Sequence, residues 1–269
     1  ESTPNVILTL IDSPLAEDGG VAYVKATLSG TTTSDVTVNL GYTGTAGGSD
    51  YTAAGSIVIS AGSLSDSIAI TGQDDALDED NETVIVDITS VSNATEATPQ
   101  QVTATITDDD DPPAVSLALY DSPFAEDGGT GKVVAKLSTP SSRDVVVYLD
   151  FTGTASGTDY TTSVDSILIP AGSDSAFITL TGTDDAISEG NETVIIDVNS
   201  VTNGTENGTQ QVTATITDDE GTPDVVLTLI DSPLAEDGGV AYVKATLSGT
   251  TTSDVTVNLG YTGTAGGSD

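Results

Sequence analysis

Apolar and polar residues alternate one for one along most of the chain. In the first hundred residues the apolar positions are Val6, Leu8 and Leu10; Ala22, Val24, Ala26 and Leu28; Val36, Val38, Leu40 and Tyr42; Ile57 and Ile59; Ile68 and Ile70; Val84, Val86 and Ile88; and Val102, Ala104 and Ile106. A period of two predicts half-buried β-strand, so this stretch reads as seven strands. Asp18-Gly19-Gly20, Gly44 to Asp50 and Ala61-Gly62-Ser63 punctuate it as turns, and no segment holds a 3.6-residue apolar period long enough for a helix. Seven short antiparallel strands in about 110 residues predict an all-β fold, a two-sheet sandwich of immunoglobulin-like architecture, here without the Cys and Trp of true immunoglobulin domains. Thr103, Thr105 and Thr107 take the outward positions of the last strand, where β-branched threonine favours the strand and keeps its face wet.

The pattern then repeats. Leu8 to Asp50 is identical to Leu227 to Asp269. A diverged middle copy aligns Asp12, Glu17 and Tyr51 with Asp121, Glu126 and Tyr160, and, after a one-residue insertion, Asp74-Asp75 with Asp184-Asp185. The spacing predicts two whole β-sandwiches in tandem, residues 1–111 and 112–220, and the first part of a third, 221–269. Because the chain begins without Met and stops in mid-pattern, it reads as a section of a longer secreted protein.

Charge narrows the function. Against 42 acidic side chains stand 5 basic ones, giving a formal charge of -37, and His, Cys, Met and Trp are absent. A field of this sign disfavours nucleic acid and anionic membrane as partners. Without His or Cys the usual nucleophile pairs, nitrogen or sulfur zinc sites and disulfides are excluded, and no apolar run approaches the roughly 18 residues of a membrane span. What remains is oxygen chemistry.

The carboxylates gather at particular loops: Glu17, Asp50, the run from Asp74 to Glu82, and Asp108 to Asp111, repeated as Glu126, Asp159, Asp184-Asp185, Glu189, Glu192 and Asp218-Asp219-Glu220. In an antiparallel sandwich the loops that follow the first and third strands, the loop between the fifth and sixth, and the end of the seventh all leave at one pole. Two carboxylates about 4 Å apart repel by roughly 4 kcal/mol at an effective dielectric near 20. A hard cation resolves the conflict, and calcium, which takes six to eight oxygens in tolerant geometry, suits flexible acidic loops better than magnesium. More than one ion per complete repeat is expected.

Ala16-Glu17-Asp18-Gly19, Gly44 to Tyr51, Asp74 to Thr83 and Ile106 to Asp110, in this order, resemble the Calx-beta domain. This repeat occurs in the calcium-sensing region of sodium-calcium exchangers, in integrin beta-4 and in very large bacterial surface proteins. The resemblance covers both full units and the front of the third. It implies as calcium ligands Glu17, Asp50, Asp74, Asp75, the Leu77 carbonyl, Glu79, Glu82, Asp108, Asp109 and Asp110. In the second unit it implies Glu126, Asp159, Asp184, Asp185, the Ile187 carbonyl, Glu189, Glu192, Asp218, Asp219 and Glu220, the last a longer side chain where the first unit has Asp110. The third unit keeps only Glu236 and Asp269, an incomplete site.

The function expected from this is structural: a calcium-stiffened segment of an extracellular, cell-surface adhesin or filament, in contact with neighbouring repeats of its own chain. A receptor or glycan would be met by modules elsewhere, and outward-facing Tyr23, Lys25 and Tyr242 could mark lateral self-association. The alternative is a calcium sensor whose inter-domain angle changes on binding. A salt-adapted acidic surface explains the charge less well, because such acidity should spread over strand faces that carry Thr and Ser. Paired carboxylates also serve glycosidases, but nothing here marks one acid and one nucleophile, so no enzyme is expected. Of the glycosylation patterns at Asn81, Asn93, Asn191, Asn203 and Asn207, those at Asn81 and Asn191 would crowd the ions.

Overall fold

The computed structural model describes residues 3–265. Its first repeat has ten strands: β1 (Asn5–Ile11), β2 (Leu15–Ala16), β3 (Val21–Leu28), β4 (Val36–Gly44), β5 (Tyr51–Ala53), β6 (Ser56–Ile59), β7 (Ser65–Gly72), β8 (Glu82–Ser92), β9 (Thr95–Glu96) and β10 (Gln101–Thr107). They form two five-stranded sheets, in the orders β5-β7-β3-β1-β9 and β2-β10-β8-β4-β6. The seven strands predicted from alternation are all present as β1, β3, β4, β6, β7, β8 and β10. The three extra strands are two or three residues long, too short to show an alternation, and two of them pair in parallel: β9 along β1 and β2 along β10.

Alternation does its work on the facing surfaces of the two sheets. Val6, Val24, Ala26 and Ile70 of one sheet pack against Val38, Ile57, Val84, Val86 and Ala104 of the other, all fully or almost fully buried. These side chains are small and aliphatic, and the outward Thr and Ser between them stay wet. A bulge between Asn39 and Leu40 shifts the register of β4 against β8.

The second repeat follows the same plan with β11 (Ala114–Tyr120), β12 (Phe124–Ala125), β13 (Thr130–Leu137), β14 (Val145–Gly153), β15 (Tyr160–Thr162), β16 (Ser166–Ile169), β17 (Ser175–Gly182), β18 (Ile187–Ser188), β19 (Glu192–Thr202), β20 (Thr205–Glu206) and β21 (Gln211–Thr217). It has its own separate core around Val133, Val147, Ile167, Leu180, Val194 and Ile216. Residues from 221 on form β22 (Val225–Ile230), β23 (Tyr242–Leu247) and β24 (Thr250–Thr251). The first two pair as an antiparallel ribbon, and β24 runs alongside β18 of the second repeat. Among the described residues no helix is long and apolar enough to cross a membrane.

Candidate metal centre

Each acidic loop is brought to the pole by a backbone device that can be named. The parallel pairing of Leu15 with Ile106 and Ala16 with Thr107 carries Glu17 to the end of β10, where its amide donates to the Thr107 carbonyl at 3.1 Å. The chain then turns through Gly19 at φ 66°, and Gly20 N closes onto Ala16 O at 3.0 Å. Gly72, at the end of β7, lies so close beneath this turn that a Cβ there would overlap the Ala16 carbonyl and stand 2.8 Å from Glu17 Cα. Gly182 supports Glu126 in the same way.

Asp50 is held by its own loop, accepting hydrogen bonds from Gly47 N and, at 2.8 Å, from Ser49 Oγ, while its carbonyl accepts from Gln73 N at 2.9 Å. That last bond ties the loop to the start of the acidic run. Within the run, Asp75 Oδ1 accepts from Leu77 N at 2.8 Å, and Asp108 Oδ1 accepts from Glu79 N at 3.1 Å. Asn81 Oδ1 in turn accepts from Asp108 N at 3.3 Å. The second repeat reproduces the two carboxylate pins as Asp185 to Ile187 N at 2.7 Å and Asp218 to Glu189 N at 2.9 Å.

The result, among the described residues, is a set of carboxylate groups at two places on each pole, in each of which ligand oxygens lie within 4.8 Å of one another. In the first repeat Glu17 belongs to two overlapping groups, one with Asp75 and Asp110 and one with Asp74 and Asp109, and a third group joins Asp50, Glu79 and Glu82. In the second, Glu126 meets Asp184, Asp219 and Glu220, and Asp159 meets Glu189 and Glu192. Asp108, Asp185 and Asp218 stand outside these groups, and each pins its loop by accepting a backbone amide through one oxygen. Leu77 and Ile187 are half-buried in the same loops, and Ile187 also pairs with Thr250. Glu236 is exposed and belongs to none of the groups, and Asp269 lies outside the described residues.

Burial and repulsion leave these carboxyls strained as anions. Glu17 is 7% exposed, and desolvation followed by the charges of Asp108, Asp110, Asp109 and Asp75 pushes its pKa to about 7. Glu82 rises to about 7 through burial, its hydrogen bond to Asp50 and the charges of Asp50 and Glu79, and Glu192 does likewise beside Asp159. Burial alone would raise Asp50, but hydrogen bonds from Ser49, Gly47 and Glu82 outweigh it and hold it below the usual range. Glu126 is raised by burial and by a hydrogen bond shared with Glu220. Glu79, Asp108, Asp110 and Glu189 are also raised, burial first in each case.

Among the described residues, four buried carboxylate oxygens have no hydrogen-bond partner: Glu17 Oε1, Asp110 Oδ2, Glu126 Oε1 and Glu220 Oε2. Native structures rarely leave such atoms unsatisfied. An oxygen-only donor set with unpartnered buried oxygens fits a hard cation, and the longer Glu220 still reaches its group.

Sequence reasoning missed what surrounds Asp78. This residue is 2% exposed and pairs with Arg143, the single arginine of the chain, across the boundary between repeats. Ser141 Oγ donates to Asp78 Oδ2 at 2.8 Å and to its carbonyl at 3.1 Å. One lone arginine among 42 acidic residues was the available signal. Asn81 serves as a loop pin, and Asn93 and Asn203, both at left-handed φ, donate their amide nitrogens to the Asp35 and Asp144 carbonyls at 2.8 and 3.0 Å.

The sequence profile of the Calx-beta domain matches residues 4–110 and 108–220, overlapping on Asp108 to Asp110. Comparison with curated proteins returns no match. Among solved structures, the chain is similar to the crystal structure of calcium binding domain CBD12 of CALX1.1, at 18% identity over 69% of this chain and 76% of that one, with a TM-score of 0.33. It is similar to CBD12 from CALX1.2 at 20% identity, with the same coverage and TM-score. The YadV chaperone follows at 13% identity, 78% of this chain, 99% of that one and a TM-score of 0.25.

Proposed function

The chain belongs to the Calx-beta domain family, and from that premise we propose that it is a calcium-binding structural segment of an extracellular surface protein, stiffened by ions at the end of each repeat. The repeats are taken as residues 1–111, 112–220 and 221–269, the last a partial unit. The observation that carries the reading is the buried, unpartnered Oε1 of Glu17 and of Glu126, each facing further carboxylates. Fold stability is poorly served by a buried carboxylate that meets only its own kind. Calcium reverses the sign of every one of those contacts.

Glu17 with Asp74, Asp75, Asp109 and Asp110 would hold ions on one side of the pole, and Asp50, Glu79 and Glu82 on the other. Asp108 and the Leu77 carbonyl would complete the shells. Glu126, Asp184, Asp185, Asp218, Asp219 and Glu220, and Asp159, Glu189, Glu192 and the Ile187 carbonyl, would play the same parts in the second repeat, whereas Glu236 and Asp269 would supply only part of a ligand set. The role is not catalytic. Stiffening follows from position, because Asp108 to Asp110 end one repeat and lead through Asp111 into Pro112-Pro113, whose rings remove torsional freedom before β11.

Small-angle scattering of the whole chain tests this. In millimolar calcium the distance distribution should be that of an extended particle, and excess chelator should shorten and broaden it while circular dichroism shows the sheets intact. A distribution indifferent to chelation would defeat the stiffening role.

A further inference from the structure

Both joints between repeats are built on one backbone pairing. At the first, Asp78 and Ser141 form a parallel bridge, and Ser142 N donates to the Asp78 carbonyl at 3.1 Å. At the second, Ile187 and Ser188 pair in parallel with Thr250 and Thr251, and Thr252 N donates to the Ser188 carbonyl at 3.3 Å. By alignment of the repeats Asp78 corresponds to Ser188, Asp80 to Gly190, Ser141 to Thr251 and Arg143 to Ser253. The backbone is therefore common to the two joints and the side chains are not. In the first, buried Asp78 pairs with one terminal nitrogen of Arg143 while the other reaches Asp80 at 3.3 Å. In the second, none of the four positions carries a charge.

We propose that these side chains form a matching code that decides which repeat can follow which. A loop bearing Asp78 and Asp80 seats on a pole bearing Arg143, and a loop bearing Ser188 and Gly190 seats on a pole of Thr and Ser. Crossed pairings are penalised from both directions. Asp78 against serine would bury a carboxylate with no cation, and Arg143 against Ser188 and Gly190 would leave a guanidinium already 25% exposed without a counter-charge. Losing one member of a buried pair costs far more than replacing both, and this asymmetry is what discriminates between partners.

The code also assigns a partner to the free pole of the first repeat. Because Leu8 to Asp50 is identical to Leu227 to Asp269, Thr31 to Ser34 stand where Thr250 to Ser253 stand in the second joint. They line an open groove with Pro4 and Asn93. Its fitting occupant is the Ile187-to-Gly190 loop of a domain like the second repeat, so that first-type and second-type repeats alternate. This inference rests on the joints alone and is independent of the calcium reading.

The absence of cysteine permits a clean test in the whole chain. Exposed Ser67 and Thr161 are replaced by Cys, spin-labelled, and their distance distribution is measured by pulsed electron paramagnetic resonance at one fixed calcium concentration. R143S and the D78S/D80G double variant, each a crossed joint, should broaden a narrow distribution, and D78S/D80G/R143S, which matches the uncharged second joint except for Ser141 in place of Thr251, should narrow it again. A narrow distribution in either crossed variant, or a triple variant as broad as they are, overturns the code. So does broadening accompanied by a loss of calcium stoichiometry in calorimetry of the same samples, which would refer the effect to the ions.

Discussion

Acidification should stabilise the calcium-free chain, against the usual behaviour of acidic proteins. Glu17 supplies the magnitude. The residue is only 7% exposed, and its carboxyl is pushed from 4.5 to about 7, first by desolvation and then by neighbouring aspartates. A folded pKa above the unfolded one means that the proton favours the fold, so this stability is complete below about 4.5 and is lost as pH rises through about 7. At about 1.4 kcal/mol for each pH unit, Glu17 alone withdraws about 3 kcal/mol from the calcium-free fold by pH 8. For a domain of about 110 residues that is a midpoint change on the order of 10 °C. Asp108 and Asp110 act in the same direction, and lowered Asp50 opposes them. Scanning calorimetry on metal-stripped protein should show the first repeat melting at a higher temperature at pH 5 than at pH 8. In millimolar calcium the trend should invert, because protons then compete with the ions. Glu17→Gln should melt higher than the wild type at pH 8 without calcium, lose most of the slope and gain less from calcium. A calcium-free midpoint that is flat or falls on acidification would refute the argument that these carboxylates are buried against one another.

Asp75→Asn with Glu79→Gln should remove part of the calcium stoichiometry and leave the second repeat's share, since the two poles are about a domain apart and screened from one another; an unchanged calorimetric isotherm would make these plain surface charges. Gly72→Ala should cost about 1–3 kcal/mol and weaken calcium binding in the first repeat, because its Cβ displaces the Glu17 turn. A wild-type urea midpoint and isotherm would show that the turn yields freely. Ile70→Ala, at a fully buried position, should cost roughly 2–5 kcal/mol in urea unfolding of the first repeat, and a loss below 1 kcal/mol would mean that the sheets close over the gap.

The long strands were legible because one face of each is buried, and a period of two leaves a plain trace in the residues: Ala104 and Ile106 are buried while Thr103, Thr105 and Thr107 on either side of them are not. The strands β2, β5 and β9 left no trace, since two or three residues cannot display a period, and their pairing is set by the chain reversals around them. Convergence of the acidic loops was legible from strand direction alone. The division of labour among the aspartates was not. Asp75 and Asp108 both accept backbone amides, yet only Asp75 also falls in a carboxylate group. That distinction depends on a few degrees of loop geometry, which spacing does not encode.

The run from Asp74 to Glu82 explains how ion binding and the joint come to share one loop. Its residues face different neighbours: Asp74, Asp75, Glu79 and Glu82 join the carboxylate groups, while Asp78 and Asp80 turn to Arg143 of the following repeat. Asp78 lies directly beside Glu79, so the backbone cannot move at one without moving at the other. Repulsion among the carboxylates in the absence of calcium therefore acts on the same peptide units that carry the Asp78 to Ser141 bridge. In the second repeat Glu189 takes the Glu79 position, but its neighbour Ser188 holds the joint through backbone and neutral side chains alone. Loss of calcium should accordingly strain both joints through their loops, yet only the first has an ion pair to resist, and the second is where the chain should bend first.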